Sequence, residues 1–293
     1  MATPSIEPKL IATISGKGGV GKTTLALGTA FALKKMGYRV GIVDIDIESS
    51  SLGDALGLNY QKLNLGEKIQ PAEVDGVKII SLSMFLDEEW EDIPTLVSEE
   101  RVFHLVEQMF ASVDWGELDY LVADTPPGTG PELRALARRK VCGLILVAAT
   151  QRLSEMPVRR LVKMAREEYR LPIIGMVSNN PYNTDGDTNS GEAIAARYKL
   201  PFITTIPWTP EVRVAMDERK PVPVELFEPV AQAVVRHSFP QVTLKVVEAA
   251  NLRKQINPLT GRRLTRKGVA NEMGVSIGRV GQLLKEAKRE GLI

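Results

Sequence analysis

Short runs of Val, Ile and Leu recur along the first 225 or so residues, at 10–15, 40–45, 77–83, 120–124, 143–149, 173–178 and 202–206. Most lack the polar alternation of a half-wet strand, and apolar runs of that length predict strands covered on both faces. Helical spacing lies between several of them, as in 24–36 and 156–169. Strands alternating with helices predict a doubly wound α/β body with a mostly parallel sheet. Two stretches break the rhythm. The acidic segment 87–100 reads as a surface loop or exposed helix, and 179–192, rich in Asn, Asp and Gly, reads as a loop. The Pro-rich segment 221–229 closes the body. Beyond it the pattern is helical only, which predicts a body over 1–240 and a small all-α unit over 241–293.

Composition narrows the class. The chain has 293 residues, 44% apolar and 25% charged, enough to bury a full core. No apolar run reaches the roughly 18–20 residues of a membrane span, and the first residues show no secretory pattern, so no membrane association is expected. Cys142, the one cysteine, excludes an intrachain disulfide and any all-cysteine metal site within one chain. A reducing cytoplasm fits. The net charge of +1 hides an asymmetry: 241–293 carries eleven Lys and Arg against four Asp and Glu, a balance of +7, and the rest of the chain stands at −6. A basic end on an acidic body points to a polyanionic partner.

The clearest chemistry is Gly16-Lys17-Gly18-Gly19-Val20-Gly21-Lys22-Thr23, followed by Thr24. It fits the G-x-x-x-x-G-K-[ST] phosphate loop and sits between a predicted strand and helix. Its glycines let backbone N–H groups converge on phosphate oxygens, and the helix N-terminus adds partial positive charge. Lys22 suits the β- and γ-phosphates, and the Thr23 hydroxyl suits Mg²⁺. Asp44 and Asp46 close the second strand two residues apart, so both project from one face. Asp124 ends another strand before Thr125-Pro126-Pro127-Gly128-Thr129-Gly130, and suits a water-mediated hold on Mg²⁺.

With Lys17, the loop resembles the deviant Walker A motif KGGxGKT of the MinD, ParA and nitrogenase iron protein class. That resemblance implies a P-loop NTPase fold, ATP and Mg²⁺ as ligands, and a homodimer enclosing two ATPs, with Lys17 reaching the partner's nucleotide. It assigns Asp46 to orienting the attacking water, Asp44 to the vicinity of the metal, and the Gly128 N–H to the γ-phosphate. DTPPGTG and the segments 69–71, 76–81, 113–120 and 201–222 resemble the Mrp/ApbC branch, so the similarity runs over roughly 10–225. By position, the resemblance places Asn179 at adenine and Pro207 to Glu211 in the loop flanking the base. One departure matters. The branch usually carries Cys-x-x-Cys shortly after that asparagine, where paired subunits bridge an iron–sulfur cluster. Here 180–187 reads NPYNTDGD, with no cysteine.

Other candidate metal ligands fall away. Asp185, Asp187 and Asn189 open like an EF-hand loop, but its sixth and twelfth positions are Ser190 and Ala196. His104 and His237 stand without metal-ligand company, and Cys142 opens an apolar strand as a small hydrophobe.

The basic end carries its own pattern. Val242, Val246, Ala249, Ala250 and Ile256 have helical spacing, and Asn257-Pro258 breaks the helix. From 265 onward the chain resembles a helix-turn-helix. Val269, Ala270 and Met273 would pack one helix, Gly274 would make the turn, Ser276 would cap the next helix, and Val275, Val280 and Leu283 would pack it. Ser276, Ile277, Arg279 and Gln282 would then face bases of double-stranded DNA, with Arg266, Lys267 and Lys285 on phosphates. Gly278 and Gly281 inside that helix each cost about 1 kcal/mol against Ala. The expected protein is an ATP-hydrolysing dimer that regulates or partitions DNA. The competing expectation is an iron–sulfur cluster or metalloenzyme maturation ATPase whose tail docks a client or activating protein.

Overall fold

The computed structural model describes residues 7–46, 52–58, 68–81, 98–149, 155–179, 190–220, 222–239, 244–255 and 262–289. The body is built on an eight-stranded sheet: β1 (Lys9–Ser15), β2 (Val40–Asp44), β3 (Ala72–Val74), β4 (Val77–Ser81), β5 (Tyr120–Asp124), β6 (Val141–Ala149), β7 (Ile173–Asn179) and β8 (Phe202–Ile206). Their order is β3-β4-β2-β5-β1-β6-β7-β8, and every pairing is parallel except β3 with β4. All seven predicted strands lie in this sheet. Residues 87–97 of the acidic segment and 180–189 of the Asn- and Asp-rich segment fall outside the described residues, and Glu99 and Glu100 open the helix that follows.

The strands alternate in destination rather than in polarity. Ile11, Val40, Ile42, Tyr120 and Val122 enter one apolar cluster. Their neighbours Leu10, Ala12, Val43, Leu121 and Ala123 enter the other. A period of two with both faces buried is why the sequence shows continuous apolar runs.

The first cluster is covered by α1 (Lys22–Lys35) and α8 (Glu228–Ser238). From Leu25 to Leu33 every residue of α1 is buried, which an all-round apolar helix requires. The second is covered by α3 (Glu99–Ser112), α4 (Pro131–Ala137), α5 (Glu155–Lys163) and α6 (Ser190–Arg197). The predicted helix over 156–169 is present, but its last turn, Met164–Glu168, is wound as a π-helix. Short helices α2 (Leu52–Leu56) and α7 (Pro210–Asp217) flank the C-terminal ends of the strands.

The sequence reading missed β3. It is an edge strand in a hairpin with β4, joined by Asp75 and Gly76, which have φ of 47° and 74°. Two consecutive positive φ values define the two-residue turn that Asp-Gly favours, so the signal was present in the dipeptide.

The C-terminal helices are α9 (Leu244–Lys254), α10 (Arg266–Met273) and α11 (Ile277–Arg289). The two predicted helices and the turn between them are present. Thr265 Oγ1 accepts the Gly268 N–H at 3.1 Å, Gly274 caps α10 at φ 62°, and Ser276 Oγ accepts the Arg279 N–H at 3.2 Å. Val280, Leu283, Leu284 and Ala287 on α11 are buried, as are Val269 and Ala270 on α10, and all join the apolar cluster that contains α1 and α8. Val246, Ala249 and Ala250 of α9 belong to the same cluster, so the tail shares its core with the body.

Candidate nucleotide site and basic helical face

β1 delivers the chain to the phosphate loop, and α1 carries it away. Gly21 is the N-cap of α1 at φ 85°, a conformation L side chains rarely adopt. A Cβ there would also meet Asn179 Nδ2 at 2.1 Å. That close approach is used: Asn179 Nδ2 donates to the Val20 carbonyl at 2.8 Å, tying the end of β7 to the loop.

Parallel pairing sets the carboxylates side by side. Asp124 pairs in register with Asp44 on one side and Thr13 on the other, at the C-terminal ends of their strands. Thr23 Oγ1, in the first turn of α1, donates to Asp124 Oδ2 at 2.6 Å, and Thr13 Oγ1 donates to Oδ1 at 3.3 Å. Burial is the main cause that raises the Asp124 pKa to about 7; the Asp44 carboxylate adds to it, and Thr23 and Lys22 oppose it. Asp44 organises the loop beyond β2: Oδ1 accepts the Asp46 N–H at 3.0 Å, and Oδ2 accepts Ser81 Oγ at 3.1 Å and the Leu52 N–H at 3.2 Å. Lys22 and Asp46 are both buried.

Thr23, Lys22 and Asp46 border a cavity of about 480 Å³, in the size range of small-ligand sites, and Asp44 and Asp124 lie behind them without lining it. Gly18, Gly19, Gly21, Lys22, Thr23, Thr24, Asp46, Asn179 and Pro207 line it. Gly16 and Val20 lie in the same loop without lining the cavity, and Lys17 is exposed and turned out of it. Gly128, at φ 98°, donates its N–H to the Ser15 carbonyl at 2.8 Å, so in this conformation that amide is engaged within the protein.

The far wall differs from the expectation. Trp208 and Thr209 of the expected Pro207–Glu211 loop line the cavity, but Glu211 is exposed and does not, whereas Val212, Arg213 and Met216 beyond it do. Helix geometry explains this. Thr209 caps α7, accepting the Val212 N–H at 3.3 Å, and residues 212, 213 and 216 then share one face that excludes 211. The helical period within Pro207–Met216 carried that signal.

The donor set fits a hard cation held jointly with a nucleotide. Thr23 and Asp124 offer oxygens only, and no group of three or more His, Cys, Asp or Glu that could hold a metal by itself occurs among the described residues. Cys142 lies near the start of β6, at the opposite end of the sheet from the phosphate loop, with its Sγ 3.5 Å from Ser238 Oγ. His237 Nε2 lies 3.0 Å from the Cys142 carbonyl oxygen.

All seven DNA-facing candidates, Arg266, Lys267, Ser276, Ile277, Arg279, Gln282 and Lys285, are exposed. Arg279 Nη1 donates to Gln282 Oε1 at 3.2 Å, and Ile277 is 51% exposed. No helix among the described residues is long and apolar enough to cross a membrane.

Comparison with known proteins agrees with this geometry. The family described as "NUBPL iron-transfer P-loop NTPase", of ParA type, matches residues 7–243. An iron-sulfur cluster carrier protein of Rickettsia felis is 34% identical over 215 residues, covering 73% of this chain and 66% of its own length, just under two thirds. One from Methanocaldococcus jannaschii is 32% identical over 258 residues, covering 84% and 86%. Among solved structures, an ADP-bound nucleotide-binding protein from Archaeoglobus fulgidus superposes with a TM-score of 0.59 at 28% identity, over 72% of this chain and 86% of that one. The cell division ATPase MinD of Pyrococcus furiosus gives a TM-score of 0.61 over 78% and 99%, a likeness of fold at 22% identity. A phosphate loop tied to a strand-end aspartate, in a chain matched over most of its length, makes this protein a member of the iron-transfer P-loop NTPase family, of ParA type and related to the iron-sulfur cluster carriers.

Proposed function

We propose that this chain binds Mg–ATP in the 480 Å³ cavity, dimerises through that face and hydrolyses the nucleotide. The hydrogen bond from Thr23 to Asp124 carries the reading, because it joins the phosphate loop to a buried strand-end carboxylate at the point where Mg²⁺ is needed. Thr23 and Asp124 would hold the ion, which would supply charge neutralisation for the phosphates. Lys22 binds the same phosphates from a buried position, where a fixed cation acts strongly. Asn179 and the Pro207 loop hold the base, and Thr24 with the loop glycines cradles the phosphates. Asp46 orients the attacking water. Lys17 extends to the partner's nucleotide. Gly128 turns its N–H from Ser15 to the γ-phosphate when ATP is bound. Steady-state phosphate release with Mg²⁺ against EDTA tests hydrolysis, and light scattering with and without ATP tests dimerisation. A chain that stays monomeric with ATP, or releases no phosphate, overturns the reading.

The relatives favour an output in iron–sulfur cluster or metalloenzyme maturation, with the C-terminal helices docking a client or activating protein. The missing Cys-x-x-Cys gives this version a particular form: the thiolates that hold the cluster belong to the client. Iron and sulfide should then be near zero after anaerobic purification and desalting. A stoichiometric cluster that disappears in Cys142→Ser overturns that form.

A second output is favoured by a specific observation. The exposed side of the helix-turn-helix gathers Arg266, Lys267, Arg279 and Lys285 with Ser276, Ile277 and Gln282, a surface suited to double-stranded DNA. Fluorescence anisotropy with a labelled duplex tests it. Absence of binding at low salt leaves client docking as the role of the tail.

A further inference from the structure

The helix-turn-helix sits at the opposite pole of the molecule from the nucleotide. α1 begins at the phosphate loop with Lys22 and runs for 14 residues, about 21 Å, to its C-cap at Met36. There the tail is fastened. Asn251 of α9 is 3% exposed, and its Nδ2 donates to the Met36 carbonyl at 2.8 Å. Gly37, at φ 90°, lets α9 approach so closely that a Cβ would lie 3.0 Å from the Asn251 Cβ. Arg253 Nη1 donates to the Leu264 carbonyl, and the Leu264 N–H returns to the Gln255 carbonyl at 3.0 Å, so the entry to α10 is held against α9.

The direction of the exposed face follows from this packing. α9 lies between the body and the last two helices, and α11 turns Val280, Leu283, Leu284 and Ala287 inward toward the shared core. Ile277, Arg279, Gln282 and Lys285 therefore face away from the body.

We infer that the ATP-joined dimer bridges two separate DNA duplexes. This rests on the nucleotide-face dimer and on the DNA reading of the tail proposed above. Joining two copies at their nucleotide faces puts the two α1 helices, about 21 Å each, between the heads. Half-sites of one operator lie one helical turn, about 34–36 Å, or a multiple of it apart, and a dimer reads them from one side of the duplex. The heads face outward at opposite ends of the dimer, so they do not present themselves together to one side of a single duplex. Each head takes its own duplex, and ATP sets whether two duplexes are held together.

The experiment uses the full chain and two duplexes of about 30 base pairs, roughly 100 Å, long enough to serve both heads if both could reach one duplex. One is biotinylated and held on beads, the other is fluorescent, and anisotropy of each duplex alone is read in parallel. With Mg²⁺ and a non-hydrolysable ATP analogue, capture of the fluorescent duplex should rise about tenfold or more over the nucleotide-free level. Lys17→Ala should keep single-duplex binding and lose the ATP-dependent capture. Arg279→Ala should weaken both. Single-duplex binding without ATP-dependent capture overturns bridging while sparing the DNA reading. No binding of either duplex at low salt overturns the DNA reading and the inference with it.

Discussion

The two ends of α1 solve opposite problems. At its N-terminus, buried polar groups are held by one another: Thr23 to Asp124, Asp44 to Ser81 and Leu52, Asn179 to Val20. At its C-terminus, one buried amide, Asn251, anchors a helical unit whose functional candidates all lie in solvent. The first end acts in a water-poor site where a fixed charge or dipole is strong and its loss is costly. The second end works through screened charges, whose effects are smaller, additive and sensitive to salt. A substitution at one end should therefore leave the chemistry of the other nearly unchanged, unless it breaks the anchor between them.

The largest expected effect is at the phosphate loop. Lys22→Ala removes a buried cation, and a loss of about 2–5 kcal/mol predicts ATP affinity falling by about thirtyfold to several thousandfold. Titration with a fluorescent ATP analogue reads it, and single-duplex DNA binding should be unchanged. Next comes Asp46→Ala, which should bind ATP normally yet lower turnover about 10²–10⁴-fold, trapping the dimer in light scattering. Turnover at the unmodified rate would remove Asp46 from the mechanism.

Protonation gives a third way to separate the ends. Burial beside Asp44 raises the Asp124 pKa to about 7 in the metal-free chain, so the folded state holds a proton that the unfolded chain releases near pH 4. Between those values the folded state binds more protons, and its stability falls as pH rises. The urea midpoint of the metal-free chain should accordingly drop from about pH 4 to about pH 7, with the Asp124 contribution absent in Asp124→Asn. Equal slopes for both chains would show that Asp124 titrates in its ordinary range.

Smaller effects belong to the basic face. Arg279→Ala should reduce discrimination among duplex sequences by about 1–3 kcal/mol, with ATP affinity untouched. Lys267→Ala should weaken all sequences alike and flatten the salt dependence by about one unit of slope. Equal behaviour of the two variants would mean that Arg279 meets phosphate rather than a base edge. Finally, Asn251→Ala leaves the Met36 carbonyl without that donor and should cost about 1–3 kcal/mol in denaturant unfolding. It is the one change expected to touch the join itself, by loosening the tail from α1. A loss of ATP-dependent duplex capture with normal ATP turnover would show that the anchor carries the coupling.

The sequence by itself determined seven of the eight strands, the phosphate loop and the two last helices with the turn between them. Each is written in adjacent residues: apolar runs too continuous for a one-sided strand, glycines before Lys22, and Ala270, Gly274 and Val280 at fixed spacing. The resemblance to KGGxGKT named the ATPase class from seven neighbouring residues, Lys17 to Thr23. Only the tertiary structure decided what depends on distant parts of the chain. Thr23 meets Asp124 across 101 positions, and Asn251 meets Met36 across 215. Glu211 turned out to face solvent while Arg213 and Met216 line the cavity, because the placement of α7 against the sheet selects which helical face looks inward. The position of the basic tail was likewise invisible in its composition. Charge says what a surface attracts, but packing of α9 on the end of α1 determines that the surface stands at the far pole from the nucleotide.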